Sequence, residues 1–549
     1  LWHDYKLGIS LATLTHQNGK FIFRCNYSER LIAKDAKFYW DATHWQTSDP
    51  KKASALIRFA DPETKKLLEK FVLKITPFEG ALPTPAGLKL HPYQEETCRF
   101  ILSRNRSYNA DQMGLGKTPT AIVATNAKWG QTLVVCPKSL IWNWKAEFES
   151  WSTHTPAVEI ISPDSPFMKF SADVLIVPDS IIGRDAIRRC LFKKKFKWLI
   201  VDEAHRFKSM DSQRTAGIVG GVAVFKSTDK ITGKKIENKR LLKSMIEHCE
   251  NTAFLSGTPI PNNFFELFPA VKGLAHAEFN FMNQMEFAVR YCNAHETPFG
   301  WDYTGSSNTD ELNEKLGKVM IQHFKKDVLK DLPPKTHQIF FTENNLPSET
   351  AAFEKSMLDR YSIQDILEME TLGDIVTYRR ELGLSMVDSI AEIFTDEIEA
   401  QKKKKIIFAH HRDVVEKIHE SLSAFNPAKL YGGMKSLEVK AQIEKFKTDP
   451  TCLAIVLNIE SGGVGLNLTE ADEVNFVEFD WSPKKNEQAE DRAHRLGQKN
   501  KVLIRYFVPR GTLAEYILRA NFNKTFHTNK LNPKKENFGN ESNQSKERD

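Results

Sequence analysis

Short unbroken apolar runs punctuate the chain from about Leu88 onward. Leu133–Cys136, Val174–Val177, Trp198–Val201 and Ala253–Leu255 contain no polar position, and helical stretches separate them. Fully apolar short strands alternating with helices predict a parallel sheet covered on both faces. A second alternation begins at Ile406–Phe408 and continues through Ala454–Leu457, Glu473–Val477 and Val502–Tyr506. Between the two, Asp331-Leu-Pro-Pro334 is a breaker, followed by a helix-rich stretch. The pattern before Leu88 is different. Phe21–Tyr27 alternates as a strand does, Lys37–Trp40 and Trp45–Thr47 read as strands around the turn Asp41–His44, and Lys52–Phe59 reads as a short helix. Pro83–Gly87 reads as a linker. The predicted organisation is α/β. A small α+β module occupies 1–80, one lobe 88–330, a hinge and helical insertion 331–400, a second lobe 401–525, and a disordered polar tail 526–549.

Composition narrows the class without fixing the function. With 549 residues, 41% hydrophobic and 27% charged, the chain reads as a soluble globular protein of about three or four domains. The net charge of +7 permits nucleic-acid binding and does not demonstrate it. Seven cysteines lie scattered with no Cys-x-x-Cys pair, which argues against a disulfide scaffold and a zinc module. No apolar run reaches about 18 residues, and Leu1–Lys6 shows no signal peptide. A reducing intracellular compartment is expected, with cytoplasm or nucleus left open, and no membrane association.

Candidate chemistry sits just after the apolar runs, where ligands bind in open α/β sheets. In Asp111-Gln-Met-Gly114-Leu115-Gly116-Lys117-Thr118, the glycines let backbone N–H groups wrap a phosphate at a helix N-terminus. Lys117 would contact the β- and γ-phosphates of ATP, and Thr118 would ligate Mg²⁺. Asp111 stands where the strict phosphate-loop pattern has glycine. Asp202 ends an apolar run, and a carboxylate there is expensive unless it serves a cation; Mg²⁺ supplies one. Glu203 is placed to polarise the attacking water. Gln488, Arg492 and Arg495 read as one helical face whose guanidinium groups suit charge on a transferring phosphoryl group. They fall in the second lobe, so hydrolysis is expected between the lobes. Gln94 precedes the phosphate loop by a helix and suits the adenine edge. His410-His411 reads as strand-end packing, Lys193–Lys195 as a solvated run, and Trp142 and Trp144 as core.

These motifs resemble the Swi/Snf-related ATPases of helicase superfamily two. The likeness runs from Leu88 to Ile517 and includes DQMGLGKT, DEAH at Asp202–His205, LSGTPIPN from Leu255, SGGVGLNLTEAD from Ser461 and QAEDRAHRLGQ from Gln488. Ile407–His411, Arg290–Ala294 and Gly300–Asn308 are similar to the annealing-helicase (HepA-related) branch. The resemblance implies two RecA-like lobes that translocate on duplex DNA without conventional strand separation and remodel forks. It implies phosphate contacts at Pro137, Lys138, Ser139, Gly257, Thr258, Gly463 and Asn467, which carry no sequence information. It also marks Trp481, in the strand-end signature Asp480–Pro483, as a DNA contact. Family members often carry a substrate-recognition domain where residues 1–80 lie. Double-stranded or forked DNA is therefore the expected partner, and a monomer the expected state.

The chain departs from the family at Gln112, usually acidic, and at Ser385-Met386, often Ala-Lys. Val222–Arg240 looks inserted. Within it Lys226–Arg240 carries six cations against two acids around a turn at Thr232-Gly233, and is expected to form a surface hairpin on duplex phosphates. The competing readings are a strand-separating DEAH-type helicase and a DNA-binding scaffold without turnover. The LSGTP and HRLGQ signatures argue against the first, the intact Lys117, Asp202, Glu203, Arg492 and Arg495 against the second.

Overall fold

The computed structural model describes residues 12–72, 75–162, 171–228, 235–260, 263–279, 282–298, 300–369, 372–434, 436–459 and 466–528. They form two compact units. One takes the residues through Gln112 together with Gly116–Phe324; the other takes Met113–Leu115 and Lys325 onward.

In the first unit the chain opens as a four-stranded antiparallel sheet: β1 (Thr13–Gln17), β2 (Lys20–Arg24), β3 (Tyr39–Trp40) and β4 (Trp45–Thr47), in the order β1-β2-β4-β3. Asn18 and Gly19 both adopt positive φ between Gln17 and Lys20, the two-residue turn whose twist matches a hairpin. Phe21, Ile22 and Phe23 are all buried, so β2 is covered on both faces where its sequence reads as alternating. Pro50–Ser54 and Ile57–Phe59 split the expected helix into an α and a 3-10 turn. The module has its own core around Leu14, Phe23, Phe38 and Leu68. Lys37 reaches Glu286 at 2.8 Å and Lys51 pairs with Glu247.

The body of this unit contains β5 (Arg106–Asn109), β6 (Thr132–Cys136), β7 (Val158–Ile160), β8 (Val174–Pro178) and β9 (Phe196–Asp202). Then come the hairpin β10 (Gly221–Thr228) and β11 (Lys235–Leu242), β12 (Cys249–Leu255), the hairpin β13 (His295–Thr297) and β14 (Gly300–Asp302), and β15 (Met320–Ile321). Seven strands make one parallel sheet in the order β15-β5-β12-β9-β6-β8-β7. Every residue of β6 and β8 is buried, as their apolar runs predict. The register aligns Asn109, Leu255 and Asp202 across β5, β12 and β9. Three chains therefore leave the sheet side by side.

The inserted hairpin is present as β10 and β11, paired from Gly221↔Leu242 to Thr228↔Lys235. Its expected turn at Thr232-Gly233 lies outside the described residues. Ala223 and Leu242, with Phe225 half-buried, seat one face on Ala216. Val222 and Leu241, directly opposed on the other face, are exposed.

The second unit holds β16 (Lys335–Thr342), β17 (Lys405–Ala409), β18 (Ala428–Leu430), β19 (Ala454–Asn458), β20 (Glu473–Phe476) and β21 (Val502–Pro509). They form a parallel sheet in the order β16-β21-β20-β17-β19-β18. The segment 331–400, read from sequence as a hinge and insertion, is part of this unit. It supplies the edge strand β16, and its 29-residue helix Gly373–Gln401 buries Tyr378, Leu382, Val387, Ile390 and Phe394 in the same core. The closing helix, Leu513–Thr528, runs past the expected tail boundary at 526; residues 529–549 lie outside the described ones. All seven cysteines are free. Among the described residues no helix is long and apolar enough to cross a membrane.

Candidate nucleotide site

Asn109 ends β5, and its side-chain oxygen accepts from the Asp111 N–H at 2.9 Å. Gly116 turns the chain with φ 77° and caps the helix Lys117–Ala127, the geometry a phosphate loop needs. A Cβ at Gly116 would collide with Gln94 Nε2. Gln94 is buried, and its oxygen accepts from the His91 N–H at 2.8 Å in a capping box. The amide expected at adenine thus has its oxygen engaged in the helix cap and its nitrogen against the loop. Lys117 Nζ donates to the Asp111 carbonyl at 2.8 Å; Thr118, next on the helix, is half-buried.

Asp111, where the strict pattern has glycine, is 1% exposed. Its carboxylate accepts from Thr97 Oγ1 at 2.9 Å and from the His323 N–H at 2.8 Å, and pairs with His323 Nδ1 at 2.8 Å. The hydrogen bond to Asp111 raises the His323 pKa against the effect of burial. A buried carboxylate–imidazole pair therefore supports the base of the loop.

Asp202 lies at the buried end of β9. Trp144 Nε1 donates to its Oδ2 at 2.8 Å and the Glu203 N–H to its Oδ1 at 2.8 Å. Burial first, and the neighbouring Glu203 charge second, push its pKa up to about 6, while Lys117 pulls the other way. Glu203 sits in the left-handed region (φ 48°, ψ 49°), a strain of about 1–3 kcal/mol that sharp functional turns tolerate. His205 Nδ1 lies 3.3 Å from Glu203 Oε2, 2.9 Å from Ser256 Oγ and 3.5 Å from Thr258 Oγ1. The turn Ser256–Thr258 is thereby joined to the carboxylates through one imidazole. The buried Asp202 carboxylate, its charge disfavoured by Glu203 and favoured by Lys117, has the chemistry to hold a divalent cation.

In the second unit the arginines are not on a helical face. The helix Pro483–Glu490 carries Gln488 and ends there; Arg492 and Arg495 follow in tight turns, with Arg492 N–H on the Ala489 carbonyl and Gln498 N–H on that of Arg495. Beyond the helix, Lys325 Nζ reaches Asp491 Oδ1 at 2.7 Å and the His494 carbonyl at 2.6 Å. The turn nonetheless brings both guanidinium groups to one acceptor, the Leu466 carbonyl, at 3.5 Å for Arg492 and 2.9 Å for Arg495.

Of the residues assigned to DNA, Lys138, Ser139 and Asn467 are exposed, Gly257 and Thr258 half-buried, and Pro137 buried. Gly463 lies outside the described residues. Trp481 does not offer a stacking face: it is 5% exposed, with the Arg379 guanidinium 4.8 Å from its ring, and its carbonyl accepts from Asn521. His410-His411 packs as expected. Both N–H groups donate to Glu478, whose other oxygen lies 2.7 Å from His411 Nδ1. Trp144, His323 and Lys325 went unrecognised as site residues in the sequence, because only tertiary contacts connect them to the motifs.

The SNF2-related domain matches residues 93–232 and 233–409, and the helicase conserved C-terminal domain residues 387–497. The human DNA annealing helicase and endonuclease ZRANB3 is 30% identical over 455 residues, 79% of this chain and 39% of that protein. The SWI/SNF-related matrix-associated actin-dependent regulator of chromatin subfamily A-like protein 1 of Xenopus tropicalis is 30% identical over 444 residues, 78% of this chain and 44% of that protein. The chain thus spans about two fifths of the length of these relatives. The Sulfolobus solfataricus SWI2/SNF2 ATPase core, solved with dsDNA, is 22% identical, covering 82% of this chain and 94% of that one with a TM-score of 0.40. The SNF2-related domain is matched over more than half of this chain, so the chain belongs to the SNF2-related family.

Proposed function

We propose that this chain is a DNA-dependent ATPase that translocates on duplex DNA and remodels or reanneals branched and forked substrates. One observation carries the reading: Asn109, Asp202 and Leu255 end three adjacent strands in register, so the phosphate loop, the carboxylate pair and the Ser256–Thr258 turn leave one sheet edge together. ATP would lie on the Gly114–Thr118 loop, with Lys117 on its phosphates and Gln94 bracing the loop. Mg²⁺, held by Thr118 and Asp202, would screen the phosphate charge. Glu203 orients and deprotonates the attacking water, and the His205 bridge carries the state of that carboxylate to Ser256 and Thr258. Arg492 and Arg495, with Gln488, act on charge that develops in the transition state.

Lys138, Ser139, Gly257, Thr258, Gly463 and Asn467 would follow the DNA backbone, with residues 1–80 as a substrate-recognition module. The relatives' printed names, an annealing helicase and an SWI/SNF-related regulator, favour reannealing over strand separation. A monomer in a reducing intracellular compartment completes the reading. The test is ATP turnover without DNA and with single-stranded, duplex and forked DNA side by side, coupled to a bubble-reannealing assay. Stimulation by duplex and fork with reannealing is expected. Strand displacement, or turnover indifferent to DNA, would overturn it.

A further inference from the structure

The arginine turn is wrapped by one continuous segment, Lys325–His337. Lys325, 5% exposed, grips the Asp491 carboxylate (4% exposed) at 2.7 Å and the His494 carbonyl at 2.6 Å. The Pro333 carbonyl lies 2.9 Å from His494 Nε2. Lys335 pairs with Glu490 at 2.6 Å, and His337 and Tyr506 reach the other Glu490 oxygen at 3.0 and 2.8 Å. Positions 490, 491 and 494 are thus fastened, while their neighbours 492 and 495 carry the guanidinium groups to Leu466. This alternation is what a clamp on the turn requires. A protein interior gives such pairs little net stability, so a cluster of this density is better explained by what it orients.

The residues just before this segment are fastened to the phosphate loop. The Ala110 and Gln112 N–H groups donate to the Ile321 and His323 carbonyls at 2.8 and 2.9 Å, and His323 pairs with Asp111. Only Phe324 separates His323 from Lys325.

We propose that Lys325 is a positioning residue for Arg492 and Arg495. This rests on the ATPase reading above. The test uses the full chain with saturating duplex DNA and compares wild type, Lys325→Met, Lys325→Arg and the double variant Lys325→Met with Asp491→Leu. Turnover, KM for ATP, affinity for a fluorescent ATP analogue and thermal unfolding are read together. Lys325→Met should lower kcat about 10- to 100-fold, as loss of alignment does, with analogue affinity within about threefold of wild type. Lys325→Arg should recover most of kcat. The double variant removes both buried charges, so it should regain unfolding temperature yet stay slow. Recovery of kcat along with stability would mean that Lys325 only neutralises Asp491 and would overturn the proposal, as would equal loss of affinity and turnover. A wild-type chain without DNA-stimulated hydrolysis would instead strike the ATPase reading, and that control tells the two failures apart.

Discussion

In the first unit the functional groups hang from the ends of adjacent parallel strands; in the second the arginines ride on irregular turns beyond a helix that stops at Glu490. The first arrangement is fixed by sheet register and needs few supports: Trp144 on Asp202, His323 on Asp111, His205 between Glu203 and Ser256. The second has no regular frame, and a cluster of buried ions takes its place. Lys335 there holds Glu490 to about 2, well below the usual carboxylate range, with His337 adding to the effect. Rigid strand ends suit groups that must bind the same ligand in every cycle. A turn held by side chains suits groups needed only as charge develops.

The largest effect expected from this contrast is at the loop. Lys117→Ala should lower ATP hydrolysis at least about 100-fold while DNA affinity, spread over many contacts, stays near wild type. Hydrolysis within tenfold of wild type would remove the loop from the chemistry. Trp144→Phe should be milder. It deletes the N–H donated to Asp202, a hydrogen bond to a charged group worth about 1.5–3 kcal/mol, together with part of the buried indole's volume, so thermal unfolding is measured beside turnover. Turnover about tenfold lower with unchanged nucleotide affinity would sharpen the contrast; unchanged turnover would reduce Trp144 to packing.

The smallest effect belongs to the hairpin β10–β11, which leaves the sheet between the Asp202 and Ser256 strands. Lys239 and Arg240 are exposed, and Arg240 pairs with Asp185 and covers Phe225. We propose that this hairpin contacts duplex phosphates and takes no part in hydrolysis. Deleting Lys226–Arg240 should lower the salt slope of DNA affinity by about one unit per lost phosphate contact. An unchanged slope with normal DNA-stimulated turnover would make it a passive decoration.

The contrast also separates what the sequence reveals from what it hides. Continuous apolar runs disclosed β6, β8, β9 and β12, and the motifs at their ends followed. Strand β16 escaped although it holds the apolar triplet Ile339–Phe341: as an edge strand it has no fully buried residue, and the triplet lies at the start of a stretch that otherwise reads as helix-rich. Arg492 and Arg495 lie on tight turns beyond the predicted helix, where Lys325, 166 positions before Asp491 in the chain, binds a turn that no local periodicity announces. Trp481 reads as a surface aromatic beside a motif, yet Arg379 covers its ring. Burial set by distant partners leaves no local periodicity.

The central proposal, that the Gly114–Thr118 loop binds nucleotide and Arg495 acts in its hydrolysis, is tested most directly by measuring ATP affinity and turnover of Arg495→Ala together. Turnover about 100-fold lower, with affinity within about threefold of wild type, is the predicted result. Equal loss of both, or turnover near wild type, would contradict it.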